Sequence, residues 1–181
     1  RHSVRMLSRA GAAALAAGPA AAQTKMSFIL NWIAGGDHAP YYYAKKEGWY
    51  AKEGIDLDIE QGKGSALAIQ KTGAGANPFG LADMAGVLVG MGKGADLVAV
   101  YSVYATSPQG LYWLKSSGIK TVKDLAGKRI GNPPGDGARI MWPALAKANG
   151  IDPKSVTWAN IDANAKPAAV KSKTANATTS F

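Results

Sequence analysis

The sequence predicts an α/β fold with mostly parallel sheets and helices on both of their faces. Three observations carry that prediction. Short β-patterned runs alternate with helical stretches from about residue 25 onward, the order expected of successive βαβ units. The alternation restarts after Ser107-Pro108-Gln109-Gly110, which divides the chain into segments 23–107 and 108–181. The 181 residues are 47% hydrophobic and 18% charged, an ordinary globular composition with enough length for a sizeable core.

Taken in order, residues 25–32 (KMSFILNW) are apolar enough for a first strand. A helix follows from Asp37 to Lys46, with Pro40 tolerated in its first turn and Gly48 as its stop. IDLDIE, residues 55–60, alternates apolar and acidic side chains with period two and reads as a second strand. A short helix is expected over 65–71, a brief strand in FGLADM, a helix in MAGVLVGMGKG and a buried strand over 96–104 (DLVAVYSVY). After the restart come a strand (LYWLK), a helical turn (TVKDLAG), a strand (KRIGNP) and a helix over 135–150 with Pro143 inside it. VTWANI is a strand, AKPAAVKS begins a helix, and TANATTSF starts one more strand. That strand is expected to leave an exposed edge where the chain stops.

The N-terminus has a different character. Arg1, Arg5 and Arg9 precede the small-residue apolar run 10–22, and Ala20-Ala21-Ala22 has the spacing of a signal-peptidase site. The run is shorter than the roughly 20 residues a membrane-spanning helix needs, so residues 1–22 are expected to be a cleaved export signal and the protein to be periplasmic. The chain opens on Arg1, so residues are expected upstream. Removing three of the 21 basic residues leaves 18 against 12 acidic ones, a formal +6. The lysines are scattered, so no nucleic-acid partner is indicated, while the mild positive field favours an anionic ligand. With no cysteine there is neither a disulfide nor a thiolate metal site.

Two glycine turns precede helices. In Gly62-Lys63-Gly64-Ser65 the backbone amides either cradle an oxyanion or simply make a tight βα turn. The pattern is no Walker loop, and Leu67 stands where a third glycine of G-x-G-x-x-G would be. In Gly135-Asp136-Gly137-Ala138-Arg139, Arg139 either holds an anion or pairs with Asp136 one turn away. His38 has no companions at metal spacing, and no nucleophile–base set assembles, so neither a metal site nor catalytic residues are expected. Trp32 is either a stacking platform or a core tryptophan, and helical geometry lets at most two of Tyr41, Tyr42 and Tyr43 face a cleft.

Together these residues resemble one family. Asn31-Trp32, then His38-x-Pro40, Ala44-x-x-x-Gly48-Trp49-Tyr50-x-x-x-Gly54-Ile55-x-Leu57, GKGS, FGLAD and TVKDLAGKRIGNPPGD are similar to the solute-binding proteins of ABC importers for nitrate, sulfonates, taurine and the thiamine pyrimidine precursor. The resemblance implies a periplasmic-binding-protein type II-like fold: two α/β lobes with a ligand cleft between them, the second lobe incomplete here. It also implies an inner-membrane permease as partner, a monomeric binding protein, no cofactor and no enzymatic activity. Carried over by position, Trp32, His38, Tyr41, Gly64, Ser65 and Asp83 line the cleft from the first lobe. Asn132, Asp136 and Arg139 face them from the second. The family runs on well past the equivalent of Phe181, and near that point it reads sGkaDa where this chain has Ser172-Lys173-Thr174-Ala175-Asn176-Ala177.

The solute is expected to be pyrimidine-like or otherwise aromatic, given the density of residues 32–41, with a sulfonate- or nitrate-type anion as the other option. Two further functions share the fold. One is the thiamine-pyrimidine synthase, which carries a cysteine cluster that this chain lacks. The other is a ligand sensor, which needs an N-terminal helix-turn-helix where this chain has its export signal.

Overall fold

In a computed structural model the described residues are 22–180. The expected signal segment lies almost wholly outside them. The first sheet is β1 (Thr24–Ile29) flanked by β2 (Ile55–Glu60) and the two-residue β3 (Phe79–Gly80), in the order β2-β1-β3 and parallel throughout. Thr24 faces Ile55 and Ile29 faces Glu60. The period of two in β2 turns Leu57 inward while Asp56 and Asp58 stay exposed, and Ile29 and Leu30 at the end of β1 are completely buried.

Between these strands run α1 (Ala39–Lys46) and α2 (Trp49–Lys52), broken apart by Gly48 in the left-handed region at φ +70°. Such backbone suits glycine, which has no Cβ to clash. α3 (Ser65–Gly73) and α4 (Met84–Gly92) follow. Gly86 and Gly90 of α4 lie directly on Ile69 of α3, where a Cβ would sit within 3 Å of its side chain. Among the described residues no helix is long and apolar enough to cross a membrane.

Two expectations are corrected here. Residues 96–104 form no strand. Val98, Val100 and Tyr101 are 81%, 74% and 82% exposed, because β-branched, apolar composition makes a strand only where a neighbour supplies the ladder, and among the described residues none pairs with this run. The final strand, β7 (Ala177–Ser180), is not an exposed edge. It lies inside the second sheet, in the order β4-β7-β5-β6, antiparallel to β4 (Gly110–Trp113) and parallel to β5 (Arg129–Gly131). β6 (Thr157–Ala159) closes the other side of β5.

The second sheet packs against α5 (Gly137–Ala148) through Leu125, Ile130, Trp142, Ala146, Val156 and Ala177. Trp142 meets Trp158 edge to face at 6.1 Å and donates its indole N–H to the Pro153 carbonyl at 2.9 Å, so its one polar atom is satisfied. In β7 the buried Thr178 donates to the Gly131 carbonyl at 2.7 Å, which lets a polar side chain sit in the sheet.

The short α6 (Lys166–Lys171) ends in a turn where Lys173 has φ +62°, alone among the described non-glycine residues. Left-handed backbone costs an L-residue about 1–2 kcal/mol, and glycine recovers most of that at some loss of unfolded-state entropy. We expect Lys173→Gly to raise stability by about 0.5–1 kcal/mol and Lys173→Val to lower it. Urea midpoints at constant m-value check both directions.

Candidate functional site

The loop that leaves β1 is tied to the glycine turn by main-chain bonds. The Asn31 carbonyl accepts from Gly64 N–H at 2.9 Å and the Trp32 carbonyl from Gly62 N–H at 3.0 Å. A Cβ on Gly62 would lie 1.9 Å from the Leu30 carbonyl oxygen, so glycine there is a matter of space. Gly64, at φ +118°, has its Cα against the Gly135 carbonyl, which accepts from Ala66 N–H at 3.2 Å. The two glycine turns therefore meet, and between them opens a polar chamber of about 210 Å3.

Its walls come from both sheets. From the first, Trp32 presents its ring. Asp83 accepts from the Ser65 hydroxyl at 2.7 Å while its own N–H donates back to that oxygen at 3.1 Å. Gly137 lies so close to Asp83 that a Cβ there would be 1.7 Å from Oδ2. From the second, Asp136 caps α5 by accepting from Ala138 N–H at 2.8 Å through Oδ1, and its Oδ2 accepts from Lys166 Nζ at 2.6 Å. Lys166 is 7% exposed and Asp136 4%. The same ammonium lies 4.4 Å from the centre of the Trp32 ring, a cation–π contact that joins the two halves of the chain.

A larger, mostly apolar hollow of about 1020 Å3 adjoins this chamber and shares Asn31, Asp37, Asp83, Gln109 and Gly137 with it. Tyr41 lines the hollow, whereas Tyr42 and Tyr43 lie at the surface. Burial, then the neighbouring Tyr104, Tyr50, Asp37 and Tyr101, push the Tyr41 hydroxyl above its ordinary pKa. Among the described residues no group of three or more His, Cys, Asp or Glu converges closely enough to hold a metal ion.

Of the residues expected at the cleft, Trp32, Ser65, Asp83 and Asp136 line the polar chamber. Gly64 contributes backbone contacts. His38 sits behind the loop, 1% exposed, with Nε2 2.9 Å from Asn31 Oδ1 and Nδ1 accepting from Gly35 N–H at 3.2 Å. That pattern makes it the neutral, Nε2-protonated tautomer. Asn132 is fully buried and donates to Thr179 Oγ1 at 2.5 Å. Arg139 does not pair with Asp136, one of its two expected partners. It donates to Asn160 Oδ1 at 2.7 Å and to the Asn132 carbonyl at 3.4 Å, with its guanidinium 4.8 Å from the centre of the Trp158 ring. Lys166, absent from the expected set, is the partner of Asp136. Its single local signal is a lysine opening an alanine-rich helix just before Pro167.

Comparison with known proteins adds the following. Residues 36–181 match the family model described as "NMT1/THI5 like". The 4-amino-5-hydroxymethyl-2-methylpyrimidine phosphate synthase of Legionella pneumophila is 31% identical over 142 residues, 78% of this chain and 45% of that protein. The protein of the same name from Schizosaccharomyces pombe is 30% identical over 146 residues, 81% of this chain and 42% of that one. The chain thus spans less than half the length of these curated relatives. In shape it is similar to the alkanesulfonate-binding protein SsuA from Xanthomonas axonopodis bound to MOPS (TM-score 0.66, 17% identity, 87% of this chain and 53% of that one). It is also similar to the periplasmic aliphatic sulphonate binding protein SsuA from Escherichia coli (TM-score 0.61, 14% identity, 87% and 54%). The periplasmic-binding-protein fold is thereby shown. The expectation of no enzymatic activity is corrected, because the curated relatives carry the name of an enzyme.

Two outcomes follow from the geometry. Burial holds the His38 imidazole below its ordinary pKa, with Asp37 opposing more weakly. The unfolded chain therefore binds the proton more readily, and the stability His38 contributes is present above about pH 6.5 and lost as pH falls through the folded-state value. NMR titration should place this imidazole below 6.5, and His38→Gln should flatten the pH dependence of Tm between pH 7 and 5.5. Separately, Lys166→Met leaves the Asp136 carboxylate buried and unpaired, a change that typically costs about 3–5 kcal/mol. The double variant Lys166→Met/Asp136→Asn keeps the helix cap and should regain most of that loss in urea unfolding.

Proposed function

The chain belongs to the NMT1/THI5-like family, and from that premise we propose that it binds a small pyrimidine-like heteroaromatic solute in the polar chamber as the extracytoplasmic solute-binding component of an ABC importer. The observation that carries this reading is the convergence, at the end of β1, of an aromatic face (Trp32), an acceptor (Asp83) and a buried donor (Lys166) around one small chamber. A flat ring with both donor and acceptor edges matches that set. Stacking on Trp32 contributes about 0.5–1.5 kcal/mol beyond area burial, and the paired polar groups orient the ring.

In this reading residues 23–107 and 108–181 act as two lobes that close over the solute, Trp32 moving with the first and Asp136 and Lys166 with the second. The ligand favours the closed form because only there do both walls touch it. Tyr41, Gly64, Ser65, His38, Asn132 and Arg139 hold the walls rather than the ring. Residues 1–22 direct export, the protein acts as a monomer, and the partner is an inner-membrane permease.

The names of the curated relatives favour a second reading, a synthase of the thiamine pyrimidine built on the same fold. The two differ in whether the bound molecule leaves unchanged.

The test is a thermal-shift and calorimetric screen of the full chain against aminopyrimidines, taurine, alkanesulfonates and nitrate, with mass spectrometry of the recovered ligand. An aminopyrimidine at 100 times its Kd should add about 2.7 kcal/mol of stability, a Tm rise of roughly 5–10 °C for a chain of this size. Trp32→Ala should weaken binding about tenfold, and the ligand should be recovered intact. A chemically altered product would favour the synthase. A shift that survives Trp32→Ala would place the ligand elsewhere.

A further inference from the structure

We propose that residues 96–104 and the adjoining apolar hollow form a docking groove for an extended, uncharged polypeptide strand, which pairs with this run and fills the hollow. Strand docking here is independent of what the polar chamber binds.

Residues 96–104 read DLVAVYSVY, with no charge after Asp96 and no glycine or proline. Among the described residues none of their main-chain N–H groups donates a hydrogen bond, and of their carbonyls the Tyr104 oxygen alone accepts one, from the Ser102 hydroxyl at 3.0 Å. Leu97 packs against Gly73 of α3 and Gly90 of α4, where a Cβ would lie 3.8 Å from its methyl groups. The run is thus held at its start while Val98, Val100 and Tyr101 stand exposed. Sheet edges that stay bare in other proteins carry charges, proline or bulges that discourage pairing. Past Asp96 this run carries no charge and no proline.

The hollow beside it is of a size to hold a strand. β3 is the last strand of the first sheet, so its outer edge is free. Leu81 and Ala82, which continue β3, line the hollow together with residues 101–105. A strand residue takes up about 160 Å3, from roughly 3.3 Å along the strand, 4.8 Å across it and 10 Å between layers. The hollow of about 1020 Å3 therefore takes about six residues, an ordinary strand length. Its charged lining residues are Asp37 and Asp83, both at the end it shares with the chamber. The rest of the lining is apolar, aromatic or neutral, so the strand that fits is uncharged.

Other occupants satisfy one half of the surface and not the other. A small apolar molecule fills the hollow and leaves the free N–H and C=O groups of the run without a ladder. A helix spends its main-chain groups on itself. A second copy joined edge to edge through 96–104 meets the run and leaves the hollow empty. An added strand meets both, since a row of free main-chain groups is matched residue by residue only by another main chain.

The experiment uses the full-length chain at neutral pH and a blocked hexapeptide of alternating valine and threonine. Calorimetry should show saturable binding of one peptide per chain, and hydrogen exchange should slow at residues 97–104 when it binds. The same peptide with N-methyl groups on alternate residues keeps its side chains and loses ladder donors, and it should bind about tenfold more weakly or worse. Val100→Pro removes an N–H from an exposed position and should weaken the parent peptide to a similar degree, with near-UV circular dichroism confirming the fold. An N-methylated peptide binding as tightly as the parent would overturn the proposal, because the surface would then be merely apolar. Binding that leaves exchange at 97–104 unchanged would overturn it too. So would sedimentation showing a dimer that buries 96–104 and excludes the peptide, or no peptide binding to a folded chain. None of these outcomes bears on aminopyrimidine binding in the chamber.

Discussion

The contact between Lys166 and Asp136 is the interaction on which the arrangement of the chamber depends. Both side chains are more than nine-tenths buried, and taking two such charges out of water costs several kcal/mol for each. That cost is offset only because every part of the pair is used. One carboxylate oxygen takes the ammonium and the other caps α5, while the ammonium also lies on the Trp32 face. Trp32 leaves the end of the first sheet, whereas Asp136 and Lys166 belong to helices packed on the second. The ammonium's contact with Trp32 links the pair to the first sheet over a short distance, and the carboxylate fixes the first turn of α5. Glycine makes that distance reachable, since Gly64 and Gly137 meet Gly135 and Asp83 at separations that leave no room for a Cβ.

The glycine turns show how one sequence feature can serve the fold while resembling a binding motif. A run such as Gly62-Lys63-Gly64-Ser65 before a helix presents amides in the geometry that suits an oxyanion. Here Gly62 and Gly64 donate to the carbonyls trailing from β1, and Ala66 to the opposing turn. Backbone donors in a buried turn must find partners, and main-chain carbonyls a few residues away supply them permanently. A further ligand in this region therefore meets side chains: the Trp32 ring, the Asp83 carboxylate and the Lys166 ammonium.

Much of the fold was legible because local patterning decided it. IDLDIE has one buried face and became β2 at the expected bounds. The helices after the two glycine turns form where they were expected, the second with Asp136 as its side-chain cap. The misreadings share one cause, the dependence of a strand on its neighbour. DLVAVYSVY has the composition of a strand and no ladder, while the residues of β7, more polar in composition, are held between β4 and β5. Pairing is a non-local property, and no window of sequence contains it. The site divides in the same way. Trp32, Ser65, Asp83 and Asp136 stand at strand ends and helix starts, where topology brings ligand-facing residues together. Lys166 was invisible because its partner lies 30 residues away. His38 looked like a cleft residue because a lone imidazole beside aromatics is ambiguous until its two hydrogen bonds are known.

The comparisons and the chamber speak at different levels. Likeness in shape at 14–17% identity to sulfonate-binding proteins shows the fold, and a fold of this kind hosts many ligands. The curated relatives bear a synthase name but are more than twice as long as the matched region. What the chamber accepts depends on a few side chains and on how many of them the fold itself has already engaged. Arg139 is the instructive case. By residue type it is the strongest anion receptor near the site. Yet its stacking on Trp158 and its bonds to Asn160 and the Asn132 carbonyl hold the guanidinium within the packing of the second sheet. Arg139 is thus engaged in that packing, just as Lys166 is engaged with Asp136 in the chamber wall.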